Sequence, residues 1–223
     1  VRNMDKVIHV GDDAFNLWLV IALCIGMPAR LKLTGDSSLR FLDIAPLRHF
    51  LPQFGVRLTN VIPSQDGLPV RMECSGLMPR QIRLADDLPE DFVAALVLAS
   101  PFWETECRLT LPEHEPRLLP LVLEVLSGCG LKVVRSGRDI SVERGDISVP
   151  AQPVVPMDAS VAATVLMFPG FNGGHAVLEG VWGSNTASSL VEKILRGAGL
   201  NVRYGARQVE CTGKERETAV PAP

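Results

Sequence analysis

Aromatic side chains are scarce: Phe, Trp and Tyr make up 5% of the 223 residues, with a single Tyr. That leaves little material for base-stacking platforms and argues against binding of single-stranded nucleic acid. Cationic excess is missing too. Lys plus Arg number 22 against 25 for Asp plus Glu, a net charge of −3. No general polyanion surface is expected, and nucleic acid is set aside as a partner. The five cysteines, Cys24, Cys74, Cys107, Cys129 and Cys211, are odd in number and scattered. Without a CxxC or a Cys/His cluster they exclude a zinc site and a disulfide framework, and reduced thiols fit a cytoplasmic protein. His9, His49, His114 and His175 are far apart, with no helix-face pair, so no metal site is expected. No cofactor is expected either. The Gly-rich stretch Gly170-Phe-Asn-Gly-Gly174 lacks GxGxxG spacing and a following Lys-Ser/Thr, and reads as a helix-to-strand turn.

Long hydrophobic runs are also missing. Ala14 to Gly26 is apolar apart from Asn16, but a bilayer span needs about 20 such residues. Asp12 and Asp13 precede it, the wrong sign for a secretory leader. No membrane partner is expected. What the chain does have is apolar content, 47% against 21% charged. That excludes a disordered chain and supports a sizeable core, in one large domain or two small ones. The stretch from Gly213 to Pro223 reads as a solvated tail or linker.

The informative signal is an internal repeat of about 70 residues. Gly55-Val-Arg-Leu, Gly130-Leu-Lys-Val and Gly199-Leu-Asn-Val are three helix–Gly–strand junctions, each Gly suited to the left-handed position that ends a helix. Two short strands follow each Gly, for example Leu131–Arg135 and Asp139–Glu143, or Leu200–Tyr204 and Arg207–Cys211. Each Gly is preceded by an amphipathic helix: Ile44, Leu47, Leu51 and Phe54; Leu118, Val122, Val125 and Cys129; Ala187, Leu190, Val191, Ile194 and Ala198. Asp36-Ser37-Ser38, Pro112-Glu113 and Ser184-Asn185-Thr186 signal their starts. Strands are predicted before them at Ala29–Thr34, Thr105–Leu111 and His175–Glu179. Earlier still come helices apolar on nearly every face, Ala14–Ile25, Asp91–Ser100 and Ala159–Phe168, which belong inside. Strands at Lys6–Val10, Gln81–Leu84 and Ile147–Val149 lead into them.

Each unit therefore reads β-α-β-α-β-β. The predicted fold class is α/β: an inside-out α/β barrel of three βαβαββ units, helices inside and small mixed sheets outside. Residues 1–76, 77–144 and 145–212 are the units, followed by a tail or linker at 213–223. An ordinary α/β layer sandwich is the alternative.

This layout and three segments resemble the enolpyruvate transferases, and among them the 5-enolpyruvylshikimate-3-phosphate synthases of aromatic amino-acid biosynthesis. Leu33-Thr-Gly-Asp-Ser-Ser-Leu-Arg40 is similar to the family's L-T-G-D-x-S-L-R. Phe92-Val-Ala-Ala-Leu-Val-Leu-Ala-Ser-Pro101 is similar to F-x-S-A-L-L-L-A-A-P. Val155-Pro-Met-Asp-Ala-Ser-Val-Ala-Ala163 is similar to V-P-P-D-A-S-S-A-A, the most specific of the three. The resemblance implies six units in two domains with the site in the cleft between. This chain matches the central half, and is either a fragment of a longer enzyme or a rearranged relative whose three units close on themselves. It also implies shikimate 3-phosphate and phosphoenolpyruvate as ligands, held by Arg, Lys and Ser near helix N-termini, where free N–H groups favour anions.

Those positions have changed. The family's G-N-A/S-G-T-x-x-R is replaced by Gly11-Asp-Asp-Ala-Phe-Asn-Leu-Trp18, and its S-S-Q by Pro89-Glu90-Asp91. After Arg40 the family's basic-x-Arg-Pro is replaced by Phe41-Leu42-Asp43. Asp12, Asp13, Asp86, Asp87, Glu90 and Asp91 are expected to cap the two helix starts and repel an incoming phosphate. The candidate substrate-binding residues are Ser38, Arg40, Asp158 and Ser160. Asp158 doubles as an ordinary N-cap, and Arg40 as a surface partner for Asp36 or Asp43. No catalytic residue is assigned. The expected function is that of a divergent family member with an incomplete active site, inactive as an isolated chain. The alternative is a non-catalytic paralogue acting in assembly or in binding another metabolite. A homodimer or a second docked protein domain is expected.

Overall fold

The computed structural model describes residues 6–63, 65–183 and 186–213, the side chains of 186 and 187 excepted. The chain divides into two compact units, residues 1–150 and 151–223.

In the first unit, β1 (Lys6–His9), α1 (Ala14–Cys24), β2 (Ala29–Thr34), α2 (Ala45–Phe50), β3 (Val56–Asn60) and β4 (Val70–Cys74) form one repeat. A second follows: β5 (Gln81–Arg83), α3 (Glu90–Ala99), β6 (Arg108–Thr110), α4 (Leu119–Gly128), β7 (Val133–Ser136) and β8 (Asp139–Val142). Each repeat makes its own four-stranded mixed sheet, in the orders β1-β2-β4-β3 and β5-β6-β8-β7. The first two strands of each sheet pair in parallel, in the registers Lys6↔Leu31 and Gln81↔Arg108, and the others are antiparallel. β3 and β4 alternate buried and exposed residues, as expected where one face of a sheet packs inward and the other meets water.

The helix that opens each repeat lies against its counterpart. α3 is enclosed: Phe92, Val93, Ala94, Ala95, Leu96 and Val97 are fully buried. α1 buries Leu17, Trp18, Ile21 and Ala22 and leaves Phe15, Leu19 and Leu23 half-buried. Trp18 and Phe92 meet edge-on, with ring centroids 5.9 Å apart, a geometry favoured by the ring quadrupoles. Buried Trp103 donates its indole N–H to the Ala22 carbonyl at 2.8 Å. This bond ties the two repeats and satisfies a polar group that is costly to bury alone. Gly55 ends the helical segment before β3 with φ 63°. A Cβ there would lie 2.0 Å from Ser75 Oγ, so neither the backbone nor the space admits a side chain. Gly130 and Gly199 repeat the conformation at φ 81° and 78°.

The second unit comprises α5 (Ala159–Leu166), α6 (Phe168–Asn172), β9 (His175–Glu179), α7 (Thr186–Gly197), β10 (Asn201–Tyr204) and β11 (Gln208–Thr212). Its sheet has three antiparallel strands in the order β10-β11-β9. A separate core gathers Ala162, Leu166, Val191, Leu195, Val202 and Val209.

Several expectations are corrected. Ile147–Val149 is not a strand. The bond that follows the opening strand in the other repeats, Val10 N–H to Thr34 O and Leu84 N–H to Thr110 O, is made here by Met157 N–H to Val181 O. The matching position is therefore residues 153–156, where Pro153 and Pro156 remove ladder donors. α5 is not enclosed: Val161 and Phe168 are 66% and 60% exposed. The second unit holds one repeat, within which α5 packs against α6, α7 and β9. Asp36-Ser37-Ser38 opens a 3-10 turn, Ser37–Phe41, while α2 starts at Ala45, whose N–H is bound by Asp43. Pro112-Glu113 lies in a loop, and α4 begins at Leu119. α7 turns Val191 and Leu195 to its core and leaves Leu190 and Ile194 exposed. Ser184, Asn185 and residues 214–223 lie outside the described residues.

Candidate functional site

The carboxyl ends of the parallel strands in the first unit carry four loops: Val10–Asp13, Gly35–Arg40, Leu84–Pro89 and Leu111–Leu118. In open α/β sheets this is the end where ligands are received. In the first repeat, Asp36 N–H donates to the Gly11 carbonyl at 2.9 Å, and Ser38 Oγ donates to the Asp12 carbonyl at 3.3 Å. Asp13 caps α1, its Oδ1 accepting from Phe15 N–H at 2.9 Å. His9 Nε2 lies 3.4 Å from Asp36 Oδ1. Arg40 is exposed, and its guanidinium contacts neither Asp36 nor Asp43 within ion-pair distance among the described residues. Its backbone is fixed from behind: the Arg40 carbonyl accepts from Gly67 N–H at 3.1 Å. A Cβ on Gly67 would lie 2.2 Å from the Leu39 carbonyl oxygen, so glycine permits this close approach.

The second repeat uses carboxylates for the same loop-to-loop ties. Asp86 Oδ1 accepts from Glu113 N–H at 2.7 Å and sits 4.0 Å from Arg138 Nη2. Glu90 Oε2 accepts from Arg117 N–H at 3.3 Å and lies 3.8 Å from Arg117 Nε. The acids before α3 therefore do not cap it. Pro89 stands at the N-cap without a side-chain bond, and two of the carboxylates reach across to the next loop. Arg135 grips Glu115 at 2.6 and 3.4 Å. That contact holds the Glu115 carboxyl below its ordinary range. Arg138 donates twice to the Leu111 carbonyl, at 2.9 and 2.6 Å. Pro89, Glu90, Asp91, Arg117 and Leu118 line a shallow hollow. It presents two carboxylates and one guanidinium already turned to one of them.

Chemically, this end is self-neutralised. Arg117, Arg135 and Arg138 are engaged by acids or carbonyls, whereas Arg40 and Arg83, the last residue of β5, are exposed guanidiniums with no ion pair among the described residues. Sequence reading missed these three arginines. The loop-to-loop ties recur at nearly one spacing: Asp86 to Glu113 and Glu90 to Arg117 are each 27 residues apart, and Asp12 to Ser38 is 26. The repeat thus sets which loop meets which.

Asp158 and Ser160 belong to the second unit. Asp158 is the N-cap of α5, Oδ1 accepting from Ser160 N–H at 2.8 Å and Val161 N–H at 3.0 Å. The Ser160 side chain is exposed, and its carbonyl accepts from Thr164 Oγ1 at 3.3 Å. Ser38 and Arg40 share one turn of the first unit; Asp158 and Ser160 share one cap of the second. Burial pushes the thiols of Cys74 and Cys107 up to about 12 and about 11, and that of Cys24 upward as well. These are poor nucleophiles. Among the described residues no helix is long and apolar enough to cross a membrane, and no three His, Cys, Asp or Glu gather as metal ligands.

Known proteins share this layout. The family model described as EPSP synthase (3-phosphoshikimate 1-carboxyvinyltransferase) matches residues 3–221. The chain is 20% identical over 219 residues to the 3-phosphoshikimate 1-carboxyvinyltransferase of Methanocaldococcus jannaschii, covering 96% of this chain and 51% of that protein. It is 26% identical over 204 residues to the pentafunctional AROM polypeptide of Eremothecium gossypii, covering 85% of this chain and 12% of that one. The EPSP synthase structure from Acinetobacter baumannii superposes with a TM-score of 0.71 at 21% identity, over 94% of this chain and 48% of that chain. The chain thus spans about half the length of these single-enzyme relatives. With nearly its whole length matched, the chain belongs to the EPSP synthase (3-phosphoshikimate 1-carboxyvinyltransferase) family.

Proposed function

We propose that this chain is a divergent family member whose first unit keeps the scaffold for enolpyruvyl transfer but not the anion clamp. As an isolated chain it is inactive toward shikimate 3-phosphate and phosphoenolpyruvate. The observation that carries this reading is the carboxylate occupancy of the helix starts: Asp13 on α1, and Glu90 with Asp91 in the first turn of α3. Enolpyruvyl transfer needs general acid–base groups and a clamp for two phosphates and a carboxylate. Here the groups aimed at the anions carry the wrong sign. One like-charge contact at about 4 Å costs on the order of 4 kcal/mol before screening, at an effective dielectric near 20. A missing charge-assisted hydrogen bond removes about 1.5–3 kcal/mol more. The first alone takes micromolar affinity to about millimolar, and the second weakens it by a further factor of about 10 to 100. Ser38, Arg40, Asp158 and Ser160 are the residues left to touch a ligand.

In this reading the chain corresponds to the central half of an inside-out α/β barrel enzyme, with units at 1–76, 77–144 and 145–212 and a tail or linker at 213–223. The division into a two-repeat and a one-repeat compact unit supports that over three units closing on themselves. The five free cysteines support a cytoplasmic setting. A second reading, a non-catalytic paralogue in assembly or in binding another metabolite, rests on the same loss of the clamp. Calorimetry at low salt and neutral pH, with each of the two ligands, is expected to show no binding in the micromolar range. A micromolar dissociation constant for either would restore the enzyme reading.

A further inference from the structure

The few aromatic residues of this chain are not evenly spread. Its one Tyr and one of its three Trp meet in the second unit. Tyr204 ends β10 and Trp182 lies in the loop after β9; their ring centroids are 5.5 Å apart and their planes inclined at 42°. Trp18 and Trp103 are buried, whereas Trp182 is half-buried and Tyr204 is exposed. The pair walls a hollow of about 410 Å³, completed by Ser189 and Glu192 of α7 and by Gly205 and Ala206 of the β10–β11 turn. The hollow is braced: Gly180 N–H donates to the Arg207 carbonyl at 2.9 Å, and Gly205 N–H to the Gln208 carbonyl at 2.8 Å. Arg196 Nε donates to Glu192 Oε1 at 3.0 Å. Burial raises the Tyr204 phenol above its ordinary range, and the adjoining Glu192 carboxylate raises it further. The first repeat shows why the hollow is open. Seven residues before and five after the junction glycines Gly55 and Gly199 stand Arg48 with Asn60, and Glu192 with Tyr204. Arg48 donates to the Asn60 side chain, and the connection between β3 and β4 folds back over both: Arg48 Nη2 reaches the Asp66 carbonyl at 3.2 Å, and Asn60 Nδ2 binds the Gln65 carbonyl. Residues 205–207 alone join β10 to β11, a turn too short to fold over its own pair.

We propose that this hollow binds one neutral sugar ring, a pyranose stacked on Trp182 and Tyr204 with its hydroxyls donating to Glu192. The lining selects that class. The two rings pack on each other, so no slot for a planar ligand opens between them. The Glu192 carboxylate opposes an anion, and Arg196 already meets its charge, which weakens its pull on a cation. A sugar fits what is left. Its C–H groups carry slight positive charge and lie on the negative face of an aromatic ring. Its hydroxyls find a carboxylate, a stronger acceptor than a neutral oxygen, and the exposed Ser189 hydroxyl. Small-ligand pockets of about 300–1,000 Å³ are the usual size, mixing apolar walls with a few placed polar groups. The site is independent of the enolpyruvyl-transfer reading, since it uses none of Ser38, Arg40, Asp158 and Ser160.

Saturation-transfer NMR of the 223-residue chain tests this, with methyl glucoside, methyl galactoside and methyl mannoside as probes and choline as a cationic comparison. At least one glycoside is expected to bind with a dissociation constant of about 10 mM or tighter, with saturation strongest on the C–H protons of one ring face. Trp182→Ala should abolish the signal. Glu192→Gln keeps the side chain's shape and removes its charge; it should weaken binding at least about fivefold with unchanged far-UV circular dichroism. That second variant keeps the test decisive if Trp182→Ala fails to fold. Absence of binding by all three glycosides overturns the proposal. So does binding indifferent to Glu192→Gln, or choline held more tightly than any glycoside.

Discussion

Asp13 and Asp158 perform the same task one residue before their helices, each binding orphan N–H groups that would otherwise face water. Such caps contribute about 0.5–2 kcal/mol. They were legible because a cap is a local pattern. The ties of Asp86 and Glu90 were not, because they cross 27 residues to backbone donors, and no side-chain pattern marks a backbone N–H. The thiols give a test at this scale. Their ordinary value is 9.0, while burial, with Cys24 adding to it, raises Cys74 to about 12, and burial raises Cys107 to about 11. The unfolded chain therefore ionises first. Stability is intact below about pH 9 and falls as pH rises toward 11–12. Urea midpoints are expected to drop from pH 9 to pH 11, with a shallower drop in Cys74→Ala; a slope the same in both chains would contradict this.

Helices apolar on every side were read as enclosed, and the three outcomes differ. α3 is enclosed, α1 is half so, and α5 exposes Val161, Val165 and the adjoining Phe168. Composition states what a helix needs covered, not how much of that cover its own unit supplies. The strand before α5 failed for a different reason: residues 150–156 contain Pro150, Pro153 and Pro156, which cannot donate to a ladder. The small mixed sheets expected from the repeat are present in the first unit, where β1 pairs in parallel with β2 and β5 with β6. The contrast between α3 and α5 is measurable. Val93→Asp places an unpaired charge where no water reaches, and should cost more than about 4 kcal/mol. Val161→Asp, measured in a dilute monomer, should change stability by no more than about 0.5 kcal/mol. Urea unfolding of both variants checks this; similar losses would mean that α5 is enclosed after all.

Each compact unit has its own hydrophobic core, and the connection after Pro150 runs through exposed residues 151–155 with Val154 and Val155 65% and 84% exposed. Limited proteolysis by an enzyme that cuts after small apolar residues is expected to cleave there first. It should leave a fragment close to residues 1–150 that still unfolds cooperatively. Early cleavage inside either core would refute the division. The ties of Asp86 and Glu90 also set how two loops of the second repeat hold together. Each carboxylate holds a backbone donor of the facing loop, and Glu90 also attracts the Arg117 guanidinium. A serine at position 90 is too short to reach the Arg117 N–H, so the facing loop would lose that tie. The loops at the carboxyl ends of β5 and β6 are therefore braced against each other at two points, so that a displacement of either is carried to the other.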